Sequence, residues 1–220
     1  MKLVKTLLPL FTVLSLAPIA SAAPSGPVSS GDEALTILMA GNKRYLTETF
    51  RHSGHGTQRR GEIAKVQHPV ALVLGCADSR VPPELVFDQG LGDLFTVRVA
   101  GNVADASVLG SIEYAVGHLD VPLVMVLGHE HCGMVEATLK GGQAEGHLQH
   151  LAEAIRPALV SVDKRTGDVL DAAVRANVRY VVQQLKVSKP LLADRIKAGK
   201  LKVVGARYDL DTGEVELLSP

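Results

Sequence analysis

Two short apolar runs, each closed by a glycine, stand out along the chain. Residues 70–74 (Val-Ala-Leu-Val-Leu) stop at Gly75, and residues 121–127 stop at Gly128. Unbroken runs of this length, rich in valine and leucine, predict strands buried on both faces, the habit of parallel sheets. Residues 94–99 predict a third strand, closed by Gly101-Asn102. Between it and the 121–127 run, Val108, Ile112, Ala115, Val116 and Leu119 recur at helical spacing and predict a helix over 105–119. Strand, helix, strand in this order implies a right-handed crossover and a parallel sheet.

The flanking patterns fit the same plan. Ser30-Gly31-Asp32-Glu33 has the capping-box spacing. The helix it starts places Leu35, Leu38, Met39, Asn42, Tyr45 and Leu46 on one face, to cover the core or dock on a partner subunit. Residues 51–61 read as a solvated loop, its His52, His55, Arg59 and Arg60 scattered among three glycines; a second metal site or an anion funnel is the rival reading. A short helix is expected at 63–67, before Pro69, and another at 84–87, after Val81-Pro82-Pro83. Further helices are expected at 134–139, at 147–155 with Pro157 disturbing it, and from Lys189-Pro190 to 197. His147 and His150 read as surface residues. Residues 168–186 carry the clearest helical stripe: Leu170, Val174, Val178, Val181 and Leu185. Residues 201–209 and 214–218 alternate around Asp211-Thr212-Gly213 and predict a hairpin. The expected fold is a three-layer α/β domain over 31–220, with a largely parallel sheet flanked by helices and an extended N-terminal helix.

Composition changes this picture little. The 220 residues are 46% hydrophobic and carry a formal net charge of zero. No block of like charge is present, which argues against a nucleic-acid partner. The first residues change it more. A cationic start (Met1-Lys2-Leu3-Val4-Lys5), an apolar stretch at 6–16 and a small-x-small site at Ala20-Ser21-Ala22 predict a signal peptide over 1–22. The apolar stretch is too short to span a bilayer, so no stable membrane association is expected. The mature protein is then periplasmic or secreted. Residues 23–30 form a Pro/Ser/Gly-rich lead-in.

The chemistry sits just beyond the two apolar runs, where ligand sites gather in open α/β sheets. Cys76, Asp78 and Arg80 follow the first run on alternate residues, and His129-Glu130-His131-Cys132-Gly133 follows the second. Two thiolates and one imidazole leave one position of a tetrahedral ion open, the pattern of a catalytic zinc site. In an exported protein a Cys76–Cys132 disulfide is the rival. Both cysteines, however, sit beside polar chemistry rather than in loops that need stapling. His129 is preferred over His131, which is adjacent to Cys132 and would strain the chelate. The helix opening at Gly133 directs its dipole at Cys132 and favours the thiolate. Asp78 is placed to manage a proton at the metal, with Arg80 keeping it ionised and oriented.

Cys76-Ala77-Asp78-Ser79-Arg80 together with Gly128-His129-Glu130-His131-Cys132-Gly133 resembles the β-class carbonic anhydrases. The resemblance extends to Arg98-Val99-Ala100-Gly101-Asn102 and Ser111-Ile112-Glu113-Tyr114-Ala115-Val116. It implies one Zn2+ on Cys76, His129 and Cys132, an Asp78–Arg80 dyad, and a four- or five-stranded sheet. It further implies a homodimer or homotetramer, with the N-terminal helix packed on the partner and both subunits lining each pocket. Gln67 and Gly133 would bind substrate, with Phe95, Ala100 and Tyr114 lining a small apolar slot. The implied reaction is reversible hydration of carbon dioxide to bicarbonate, by attack of zinc-bound hydroxide with Asp78 assisting proton transfer. Gln67 implies a site that stays open rather than one closed by Asp78. Two rivals stand beside this: hydrolysis of carbonyl sulfide or carbon disulfide on the same scaffold, and a non-catalytic zinc or redox protein.

Overall fold

The computed structural model describes residues 28–51, 54–142, 145–160, 162–163, 165 and 167–219. The predicted signal peptide, most of the lead-in and His52 lie outside them.

Five strands form one sheet: β1 (Ala71–Gly75), β2 (Leu94–Arg98), β3 (Leu123–His129), β4 (Lys202–Tyr208) and β5 (Val215–Leu218). Their order is β2-β1-β3-β4-β5. The first four run parallel and β5 returns antiparallel to β4. Strands β1 and β3 are buried along their whole length. Their side chains alternate between two cores: Leu72, Leu74, Val124 and Val126 enter one, and Ala71, Val73, Leu123, Met125 and Leu127 the other. This two-sided burial is why both segments read as unbroken apolar runs.

Helices α4 (Ala106–His118), α7 (Val169–Val187) and α8 (Leu191–Lys197) fill the first core, while α1 (Gly31–Leu46) and α3 (Pro83–Val86) cover the second. Asp105 and Asp168 cap α4 and α7 through the amides of Val108 and Asp171. Ser30 caps α1 through Glu33. Val178 of α7 lies against two glycines: a Cβ on Gly128 would meet its Cγ2 at 2.5 Å, and one on Gly205 its Cγ1 at 2.8 Å. Glycines on neighbouring strands thus let α7 approach the sheet closely.

Four details differ from the sequence reading. The expected face of α1 lies on this chain's own core, with Leu38 and Asn42 buried beside Ala34 and Gly41 and with Leu35, Met39 and Tyr45 partly buried, but Leu46 is exposed. Asn42 donates to the carbonyls of Val86 (3.1 Å) and Gly213 (2.9 Å) and accepts from the amide of Val215 (3.0 Å), joining α1 to the hairpin. The short helix expected at 63–67 lies earlier, as α2 (Thr57–Ile63), most of it within the stretch 51–61 read as a loop. It buries no residue and is tied down by Arg59, which donates to the Leu91 carbonyl (3.0 Å) and the Asp93 carboxylate (2.7 Å). Pro157 lies inside α6 (Leu148–Leu159). It sits in the last turn, where its missing N–H removes one bond of the backbone ladder without ending the helix. Finally, the third strand in sequence runs to His129 itself.

Candidate metal centre

Sheet register brings the chemistry together. Gly75 of β1 lies opposite Leu127 of β3. The residue after Gly75 is Cys76, and His129 ends β3 two residues beyond Leu127. Beyond His129 the chain turns sharply, with His131 at φ +50°, in the left-handed region. That turn returns Cys132 to the same point as the N-cap of α5 (Gly133–Lys140). His131 is swung outward, its side chain 62% exposed and 3.9 Å from Glu130.

Cys76, His129 and Cys132 are buried, and their ligand atoms lie within 4.8 Å of one another. The two sulfurs are 4.0 Å apart. A disulfide needs about 2.05 Å, whereas two thiolates at the tetrahedral angle on zinc, each at about 2.3 Å, sit about 3.8 Å apart. Both cysteines are free. His129 is fully buried. Its Nδ1 lies 2.8 Å from the Glu130 carbonyl, which can only accept, so Nδ1 carries the proton and Nε2 presents a lone pair. That Nε2 has no hydrogen-bond partner among the described residues. A buried lone pair beside two thiols suits a soft or borderline divalent cation.

The thiols share protons in the way such a pair must. The Cys132 thiol donates to Cys76, and the Gly101 and Asp78 amides assist; together they outweigh burial and bring Cys76 down to about 4. Its hydrogen bond with Cys76, together with burial and the thiolate's charge, pushes Cys132 up, although the first amides of α5 favour its thiolate. Two thiolates this close need a positive charge between them, which a divalent ion provides.

Asp78 stands at the edge of this group. Arg80 grips it in a fork, Nε to Oδ1 at 2.9 Å and Nη2 to Oδ2 at 2.7 Å, and the Arg80 amide adds a third bond at 3.0 Å. The Arg80 side chain outweighs burial and holds the Asp78 carboxyl well below the usual carboxylate range. Asp78 is therefore ionised at neutral pH and can accept a proton only when one is delivered to it.

Of the other expected site residues, Gly133 opens α5 beside Cys132, and Ala100 begins a single 3-10 turn, Ala100–Asn102. The amide of Gly101 in that turn donates to Cys76 Sγ at 3.4 Å. Gln67 and Tyr114 instead line a separate cavity of about 830 Å³ whose walls include His118 and Pro122 but none of Cys76, Asp78, His129 or Cys132. Phe95 packs on Tyr114, ring centroids 6.2 Å apart.

Two supporting residues were given no role by the sequence reading. Arg98 donates from Nε to the Cys76 carbonyl at 2.9 Å and from Nη2 to the Asp78 carbonyl, clamping the loop that carries both groups. Buried Arg207 bridges Glu130 (3.2 Å), Asp209 (3.1 Å) and Asp171, steadying the residue whose carbonyl orients His129. The signal for Arg98 was its place at the carboxyl end of a strand; nothing local marks Arg207.

Comparison with known proteins agrees with this geometry. The carbonic anhydrase family model matches residues 71–215. The chain is 41% identical over 197 residues to a carbonic anhydrase of Mycolicibacterium smegmatis, covering 88% of this chain and 96% of that one. It is 40% identical over 185 residues to carbonic anhydrase 2 of Mycobacterium tuberculosis, covering 82% and 89%. Among solved structures, the Coccomyxa β-carbonic anhydrase in complex with acetazolamide superposes with a TM-score of 0.69 at 28% identity, over 84% of this chain and 86% of that one. A tetrameric β-carbonic anhydrase of Sordaria macrospora gives 0.66 at 26% identity, over 82% and 91%. With a buried Cys-His-Cys cluster at the tips of two parallel strands and relatives of this kind over most of its length, the chain belongs to the β-class carbonic anhydrase family.

Proposed function

We propose that this enzyme interconverts carbon dioxide and bicarbonate, with one zinc ion on Cys76, His129 and Cys132 and with Asp78 passing the released proton to buffer. The observation that carries the reading is the buried, partnerless Nε2 of His129 facing two free thiols 4.0 Å apart. Zinc bound there supplies a water activated for attack on carbon dioxide. The chain does the rest. His129 is held in its ligand tautomer by the Glu130 carbonyl. Asp78 is kept ionised and angled by Arg80, with Oδ2 3.8 Å from His129 Nε2. Arg98 fixes the loop on which both Cys76 and Asp78 ride.

The substrate slot needs more than one subunit. Gln67 is exposed and Tyr114 is 49% exposed on a face apart from the ligands. A homodimer or homotetramer that lays this face over the partner's metal centre would bring Gln67, Phe95 and Tyr114 to the substrate. The Sordaria macrospora relatives are described as tetrameric. Residues 1–22 direct the chain to the periplasm or outside; no helix among the described residues is long and apolar enough to cross a membrane.

The test is stopped-flow hydration of carbon dioxide at neutral and at mildly alkaline pH, with zinc measured on the same sample. One zinc per chain with fast hydration supports the reading. Zinc without hydration overturns it, and turnover of carbonyl sulfide or carbon disulfide by that sample would then assign the scaffold to another linear substrate.

A further inference from the structure

Helix α7 is apolar wherever it faces the sheet, with one exception. Asn177 is 1% exposed, among Ala173, Val174, Val178 and Val181. Its Nδ2 donates to the Gly101 carbonyl at 2.9 Å, and its Oδ1 has no hydrogen-bond partner among the described residues. A buried amide satisfied on one side only costs stability, so packing alone gives no reason for asparagine here. The bond it does make leads to the metal centre, because the Gly101 amide donates to Cys76 Sγ at 3.4 Å.

Gly101 cannot hold that amide in place unaided. It sits at φ +74°, a left-handed conformation in which any other residue is strained, and a Cβ there would press on Ile155 Cδ1 at 2.6 Å. Glycine is also the residue least restrained about its own backbone. The carbonyl that Asn177 grips and the amide that faces Cys76 meet at the Gly101 Cα, so anchoring one limits the swing of the other.

We infer that Asn177 is a positioning residue for the metal centre, fixing the Gly101 amide on Cys76 Sγ and so drawing charge from that thiolate. Hydrogen bonds to a ligating sulfur weaken its donation and leave the metal a stronger Lewis acid. The inference rests on Cys76 being a metal ligand.

The first test uses the wild-type protein loaded with cadmium-113. Scalar coupling from cadmium to the Cys76 β-protons reports ligation, and coupling to the Gly101 amide proton reports the hydrogen bond through sulfur. Coupling to both is expected. Coupling to Cys76 alone overturns this inference and leaves the zinc reading standing; coupling to neither removes both. The second test compares Asn177→Ala and Asn177→Ser, each loaded with cobalt, against Leu185→Ala, a buried change farther along the same helix. Both Asn177 variants should shift the thiolate-to-cobalt charge-transfer band to the red, and their cadmium-113 forms should lose the Gly101 coupling. Leu185→Ala should lower stability and leave the band in place. An unmoved band in a folded Asn177 variant, or an equal shift in Leu185→Ala, refutes the assignment.

Discussion

Asp78 Oδ2 lies 3.8 Å from His129 Nε2 while Arg80 Nη2 holds the same oxygen at 2.7 Å. One carboxylate thus stands between an arginine that restrains it and a metal position that would attract it. On the proposed mechanism, a short swing would decide whether Asp78 serves the reaction or blocks it.

Arg80→Ala should therefore keep its zinc and lose activity by about 10- to 100-fold, the usual cost of removing a partner just outside a metal's ligands. Arg80→Lys should not restore it, because a lysine cannot reproduce the two-pronged grip. Zinc content and kcat/KM for hydration, measured on the same preparations, decide this; full activity in Arg80→Ala would show that the fork is dispensable.

The 4.0 Å gap between the sulfurs gives a redox prediction. Stripped of metal by a chelator, the reduced chain should titrate two free thiols, and a mild oxidant should convert it to the Cys76–Cys132 disulfide at about 2.05 Å. The zinc-loaded protein should resist the same oxidant. Cys132→Ala should lose zinc and activity together. A metal-free chain that shows no thiols without reductant would favour the redox reading instead.

Gly205→Ala places a methyl 2.8 Å from Val178 Cγ1. It should cost about 1–3 kcal/mol of stability, the ordinary range for overpacking. Val178→Ala should relieve much of that, so the double variant should be less destabilised than the sum of the single changes. Urea unfolding of the four zinc-loaded proteins measures the coupling; strict additivity would mean that the helix shifts as a body to make room.

Asp209 caps the β4–β5 turn. The Thr212 amide, then Arg207 and the Thr212 hydroxyl, bring its carboxyl down to about 2. Its folded pKa is below the unfolded one, about 3.9, so its contribution is complete above the unfolded value and fades as pH falls toward about 2. The stability gap between wild type and Asp209→Asn should accordingly be constant near neutrality and narrow below about pH 4. Unfolding at a series of pH values tests this, and a gap that widens on acidification would contradict it.

What was legible in the sequence follows from burial. Strands β1 and β3 are covered on both faces, so they announce themselves as apolar runs, and their tips mark the ligands. Helix α2 buries nothing and is held by Arg59 reaching to Leu91 and Asp93, contacts that leave no periodic trace. Arg207 serves the His129 turn from a strand near the far end of the chain, and only the fold makes them neighbours. Asn177 did leave a mark, a polar residue three after Val174 in an apolar stripe, yet what it grips depends on where the 3-10 turn lies. Gln67 and Tyr114 were legible only through the family resemblance, and not as part of a shared cavity away from the ligands.

The spacing of the ligands along the chain bears on timing. Cys76 lies on one side of strand β2 and helix α4, with His129 and Cys132 on the other. Pairing of β1 with β3 must span that interval before the donors meet, and contacts this distant in sequence form late and slowly. With zinc as proposed, metal capture would therefore be a completion signal. A chain halted before the central strands pair would offer His129 and Cys132 without Cys76, and the ion would lock the sheet once the parts it joins are already in place.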